Sequence, residues 1–150
     1  MELMITIALT SVLVGAVMFM FTACFRTWDA ADNRSNIRTE LSQALEFMAK
    51  HLRQAKSIDG IGADAVYLTE DLGEGEIKTR YHLYRASEAV PYQLFRGLNT
   101  DPQGVGAVMA RNIESAEVFT QTGSLITIDL VEVNNGSRVQ MRTSVRPRGL

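Results

Sequence analysis

A chain of 150 residues with 46% hydrophobic residues, 21% charged residues and three prolines has the composition of one modest folded domain, which excludes wholesale disorder. Its formal net charge is −2, and with Glu2 set aside the 17 acidic residues become 16 against 15 basic ones, a balance that argues against nucleic acid as a partner. The single cysteine, Cys24, excludes an intrachain disulfide and a cysteine-ligated zinc site, so stability has to come from packing.

The chain opens with an apolar run. Leu3 to Phe25 are 23 residues without a charge, and as a helix they span about 35 Å, enough for a hydrocarbon core of about 30 Å. The β-branched residues Ile5, Thr6, Ile7, Thr10, Val12, Val14 and Val17 weaken a helix in water, but lipid offers the backbone amides no other partner. A cleaved secretory signal calls for a basic start and a shorter core, and Met1-Glu2 places an acid where Lys or Arg belongs. Phe21-Thr22-Ala23-Cys24 loosely resembles a lipobox, with Phe at its first position and no basic start counting against it. Arg26 follows the segment and nothing basic precedes it, so the positive-inside rule leaves orientation open. A short basic leader upstream of Met1 would resolve it.

Beyond the polar stretch Asp29 to Asn36, apolar residues recur at Ile37, Leu41, Ala44, Leu45, Met48, Leu52 and Ala55. Spacings of three and four mark one stripe of an amphipathic helix. Glu46 and Lys50 support it as an i, i+4 pair, and Gly60 and Gly62 supply a stop. A helix unbroken from the membrane would run about 80 Å, with Asn33-Arg34-Ser35-Asn36 as its weakest link. The expected organisation is a transmembrane helix over 1–25, its amphipathic continuation over 26–57 and a β-rich domain over 58–150.

After Gly62 the apolar period becomes two. Val66-Tyr67-Leu68, Ile77 to Arg85, Tyr92 to Phe95, Ala116 to Thr120, Leu125 to Val133 and Arg138 to Arg146 read as strands divided by turn residues. Asn135-Gly136 suits the two positive φ values of a type I′ hairpin turn. With Asn134 facing Ser137, Leu130 faces Met141, Ile128 faces Thr143 and Ile126 faces Val145 on an apolar side, while Asp129 faces Arg142 on a charged one. The Ile37 to Ala55 stripe is the one long amphipathic element available to cover that apolar face.

Several segments carry a resemblance: Glu2-Leu3-Met4-Ile5-Thr6-Ile7-Ala8-Leu9 at the start, Arg38 to Gln54 in the helix, then Arg80-Tyr81-His82-Leu83-Tyr84-Arg85 and Tyr92-Gln93-Leu94-Phe95-Arg96. Ala110 to Phe119, Leu125 to Ile128 and Ser144-Val145-Arg146-Pro147-Arg148 complete it. In order and spacing they resemble the type IV pilin superfamily, and within it the minor pseudopilins of the J class of type II secretion and the W-type minor pilins. Glu2 falls on the family's glutamate, the Gly-Phe-Thr-Leu around its processing site is absent, and Gly149 stands where relatives often have Asn. The resemblance implies an α+β pilin-like fold, with a long N-terminal transmembrane helix packed on an antiparallel β-sheet. It also implies an inner-membrane protein with a periplasmic C-terminal domain that moves to a filament tip and primes polymerisation. Its partners would be other minor pseudopilins or pilins, the major pseudopilin, the inner-membrane assembly platform and the prepilin peptidase.

For Glu2 two readings stand. A carboxylate beside lipid sits in the headgroup zone or has a partner, and the resemblance implies pairing with the α-amino group of a neighbouring subunit. Ala8, Ser11 and Gly15 share one helix face and would let a second helix approach, although ordinary lipid-facing composition explains them equally. No enzyme is expected, because Cys24 has no adjoining base and His51 and His82 fall in separate elements. No cofactor and no metal are expected either: Asp59, Asp64, Glu70, Asp71, Glu74 and Glu76 lack EF-hand spacing and read as solvated turns. Arg138, Arg142, Arg146 and Arg148 read as a charged strand edge or polar docking surface. Asn33-Arg34-Ser35 and Asn135-Gly136-Ser137 match glycosylation sequons, the second already explained by its turn. A different class of function also stands: a lipoprotein or signal-anchored periplasmic binding domain whose apolar segment is only a tether.

Overall fold

The computed structural model describes residues 2–71, 75–102 and 105–148; of the residues singled out from sequence, Met1, Glu74 and Gly149 lie outside them. One helix, α1 (Glu2–Gln54), runs for 53 residues. The Asn33 to Asn36 stretch does not interrupt it, because the side chains that compete for backbone groups are engaged elsewhere. Asn36 Nδ2 donates to Asp32 Oδ2 at 3.2 Å, and Asn33 Nδ2 donates to the Asn134 carbonyl at 2.8 Å.

The helix stops at Gln54, before the two glycines that were expected to end it. Ala55 N–H still reaches the His51 carbonyl at 2.8 Å, but Lys56 N–H turns to the Thr69 carbonyl at 2.9 Å. Sheet pairing takes over from there. β1 (Ser57–Ile61), a strand not anticipated from sequence, pairs antiparallel with β2 (Ala65–Asp71) and is bulged between Ile58 and Gly60. Asp59 accepts hydrogen bonds from Thr69 Oγ1 and Ser57 Oγ, which hold its carboxyl below the usual range.

The remaining strands are β3 (Glu76–Tyr84), β4 (Tyr92–Leu98), β5 (Ala107–Ile113), β6 (Phe119–Thr122), β7 (Leu125–Asn134) and β8 (Ser137–Val145). β5 is the second unanticipated strand. Its register against β4 shifts twice, and Asn112 within it takes a φ of 52°, so its alternation is too broken to read locally. The strand expected over Ala116 to Thr120 begins only at Phe119.

All eight strands form one antiparallel sheet in the order β1-β2-β3-β4-β5-β7-β6, with β8 on the other side of β7. The sheet curls, because Val118 and Phe119 N–H groups both donate to the Ala63 carbonyl, at 2.8 and 3.0 Å, and bring the two ends of that order together. The predicted hairpin register holds throughout: Asn134 faces Ser137, Leu130 faces Met141, Ile128 faces Thr143, Ile126 faces Val145 and Asp129 faces Arg142. Asn135 and Gly136 take φ values of 48° and 75°, as a type I′ turn requires.

The helix stripe covers the sheet. Ile37, Leu41, Ala44, Leu45, Met48, Leu52 and Ala55 are all buried, in one cluster with Ile126, Ile128, Leu130 and Val145. Each fully buried Leu, Ile, Met or Val side chain among them contributes about 2 kcal/mol. The division of β7 into an apolar and a charged face is less clean than its alternation implied: Glu132 is buried on the inner side, and Thr127 and Val131 are buried on the outer.

Candidate functional site

Two halves of α1 have opposite surroundings. Every described residue from Glu2 to Asp32 is exposed, and the first buried one is Ile37. Large apolar side chains stand free along this half, Phe19 among them at 76% exposure. The helix is long and apolar enough to cross a membrane.

Its polar atoms suit that setting. All four hydroxyls between Leu3 and Phe25 turn back onto helix carbonyls: Thr6 to Glu2 at 2.9 Å, Thr10 to Thr6, Ser11 to Ala8 at 2.8 Å and Thr22 to Phe19 at 2.9 Å. Hydrocarbon leaves no water for such groups, and internal bonding removes a cost of several kcal/mol apiece.

The residues expected to serve assembly all lie on this exposed half. Glu2 is the first residue of α1, where a negative charge is favoured by the helix dipole. Ala8, Ser11 and Gly15 are exposed along the same helix, and a side chain at Gly15 would meet open space. Among the described residues no other element approaches them, so contact with them comes from elsewhere. Cys24 is exposed.

At the far end of α1 the structure assembles a polar cluster that the sequence reading missed. Glu70, 5% exposed, sits on β2 with its carboxylate against His51 Nδ1 of α1; Thr79 Oγ1 of β3 donates to it at 3.2 Å and Arg96 Nη2 of β4 lies 3.6 Å away. His51 stacks on Phe47 with ring centroids 4.2 Å apart, and the Arg96 guanidinium lies over the same Phe47 ring. Tyr81, fully buried beside them, has its hydroxyl pKa pushed up by burial. The cluster ties the helix end to three strands. Glu70 is therefore not a solvated turn residue, and Asp59, Asp71 and Glu76 also lie on strands. Among the described residues no three His, Cys, Asp or Glu side chains converge where they could hold a metal ion.

A second buried acid lies nearer the middle of the helix. Glu132 on β7 is 2% exposed, and burial, reinforced by Glu40 of α1, raises its pKa to about 7. Glu40 itself accepts the Arg111 backbone N–H at 3.1 Å. Parity along β7 was the available signal, since Glu132 shares a face with Ile126, Ile128 and Leu130. His82, on β3, is stacked against Phe95 with centroids 5.7 Å apart, and burial together with Arg80 lowers its pKa.

The basic residues noted at the C-terminal end lie where expected, on or just after β8, with Arg138 paired to Glu114 at 2.8 Å. Asn33 and Asn135 both serve the junction of helix and hairpin, the first through its side chain and the second through its backbone.

Fold and surface thus define an α+β protein in which one continuous helix is half buried on its own sheet and half an exposed, candidate membrane span. No family model, curated protein or solved structure matches the chain.

Proposed function

We propose that this chain is a minor pseudopilin or minor pilin, an inner-membrane assembly subunit that joins related subunits at the tip of a type II secretion pseudopilus or type IV pilus and primes polymerisation. The observation that carries the reading is the continuity of α1 from an exposed apolar half into a half packed on the sheet. An isolated exposed helix of some thirty residues with apolar side chains on every side has no stable place in water. Lipid covers it before assembly, and the equivalent helices of neighbouring subunits cover it afterwards. A rigid link then carries movement of the membrane half directly to the sheet.

In this reading Glu2 selects helix register, because a carboxylate left unpaired in a low-dielectric bundle costs several kcal/mol. Ala8, Ser11 and Gly15 form the face along which a neighbour comes close. The periplasm receives the sheet, and the prepilin peptidase, the major pseudopilin and the membrane platform act on the helix.

A photocrosslinker placed at Ser11 in the membranes of the native cell tests this. The expected product joins the chain to the apolar N-terminal helix of a related subunit, and Glu2→Ala reduces its yield at least about tenfold, because the partner charge it leaves uncompensated costs several kcal/mol. Lipid adducts alone, with the yield unaffected by Glu2→Ala, would contradict it and favour a membrane-tethered periplasmic binding domain. The buried boundary at Ile37 supports that second reading, since the domain makes little use of the residues before Asn33.

A further inference from the structure

Strand β8 is the open edge of the sheet on the side that α1 crosses. Among the described residues its backbone pairs with β7 alone. A two-residue turn makes Asn134 and Ser137 a hydrogen-bonded pair, and the alternation of an antiparallel ladder then assigns the N–H and C=O groups of Ser137, Val139, Met141, Thr143 and Val145 to β7. Those of Arg138, Gln140, Arg142 and Ser144 point away from it, an unpaired ladder over most of a nine-residue strand.

Three clefts follow the seam between α1 and this edge. The first, about 980 Å³, is lined by Arg34, Arg38 and Arg138 together with the hairpin turn. A middle one of about 360 Å³ has Arg53 and Arg142, and the last, about 480 Å³, adds Lys50, Arg146 and Arg148. Eight of the chain's 15 Lys and Arg residues therefore line these clefts, Arg138 with its guanidinium paired to Glu114, in a protein whose net charge is −2. Among the described residues the one acidic side chain lining these clefts is Glu46. Arg34 to Arg53 covers about 28 Å of helix, matching the length of β8 at about 3.3 Å per residue.

We infer that this seam captures an extended, acidic polypeptide segment of a partner protein, which adds a strand to β8 while its carboxylates meet the arginines. The unpaired ladder supplies directional bonds that a strand satisfies and a nucleic acid does not. Among the described residues no Phe, Tyr or Trp lines the clefts, so single-stranded nucleic acid finds no stacking platform there. Arg53 lies about 40 Å along the helix from Phe25, beyond the reach of lipid headgroups. The inference uses the soluble half alone and stands apart from the proposal for the membrane half.

The test uses the full chain in detergent micelles and a fluorescent probe peptide of alternating Glu and Val. The peptide is expected to bind with salt-sensitive affinity and to slow amide exchange at Gln140, Arg142 and Ser144. Arg142→Glu combined with Arg146→Glu, both on exposed side chains, weakens it by about tenfold or more. The same peptide with alternate amides N-methylated keeps its charge, cannot pair with an edge, and is expected to lose at least as much. Equal binding of the N-methylated peptide, tighter binding of a single-stranded oligonucleotide, displacement of the probe by a second copy of the chain, or no binding at all would each overturn the proposal.

Discussion

The two halves of α1 are the same secondary structure built on opposite rules. From Leu3 to Phe25 apolar residues occupy every side, no described residue outside the helix covers them, and each hydroxyl is bonded within the helix. From Ile37 to Leu52 the apolar stripe is buried, with Phe47 exposed beside it, while Lys50 and Arg53 stay in solvent. Apolar content alone does not distinguish a core helix from a membrane helix; its distribution around the axis does.

The contrast can be broken most strongly by deletion in the covered half. Leu41→Ala empties a fully buried site, and the soluble domain is expected to lose about 3 kcal/mol in urea denaturation followed by tyrosine fluorescence. Leu13→Ala, the same change on the exposed half, is expected to leave that midpoint in place. In the reverse direction, Val12→Arg costs about 3 kcal/mol of membrane insertion and leaves the denaturation midpoint unchanged.

Next in size is the acid buried under the covered half. Because the Glu132 pKa is raised to about 7 from 4.5, both states hold the proton at low pH. As pH rises from about 4.5 the unfolded chain releases it first, so stability falls through neutrality by about 3 kcal/mol at most and is flat above the folded pKa. Glu132→Gln is expected to flatten that profile and to stabilise the domain at pH 8, read from midpoints across a pH series.

A smaller effect sits at the boundary of the two halves. Asn33→Ala removes the bond from α1 to the hairpin turn and is expected to cost about 1 kcal/mol. Faster amide exchange over Ser35 to Arg38 and at Ser137 would accompany it. Of similar size is Gly136→Ala, which places a Cβ at φ 75° and costs about 1 kcal/mol in the same denaturation assay, with no change in the exposed half.

What was legible in sequence was local. The Asn135-Gly136 turn set the register of β7 and β8 residue by residue, because a two-residue loop leaves one pairing that keeps Ile126, Ile128 and Leu130 on one face. The helix stripe was equally plain. What escaped depended on partners distant in sequence. Ser57 to Ile61 looked like the run-out of a helix, and only Thr69 and its neighbours on β2 make it a strand. His51, Glu70 and Arg96 meet because three strands and a helix end converge, a juxtaposition that no spacing encodes. Glu132 was within reach, since the same parity that placed Leu130 inside places it there too.

Solvent accessibility scanned along α1 in lipid bilayers tests the division of the helix most directly. In a Cys24→Ser background, single cysteines placed at positions 5 to 22, at positions 29 to 36 and at Leu41, Met48 and Leu52 are treated with a water-soluble thiol reagent, with and without urea. Positions 5 to 22 are expected to stay unreactive in both conditions, positions 29 to 36 to react in both, and Leu41, Met48 and Leu52 to react only once urea opens the domain. Equal reactivity at positions 5 to 22 and 29 to 36 in intact bilayers would contradict the account.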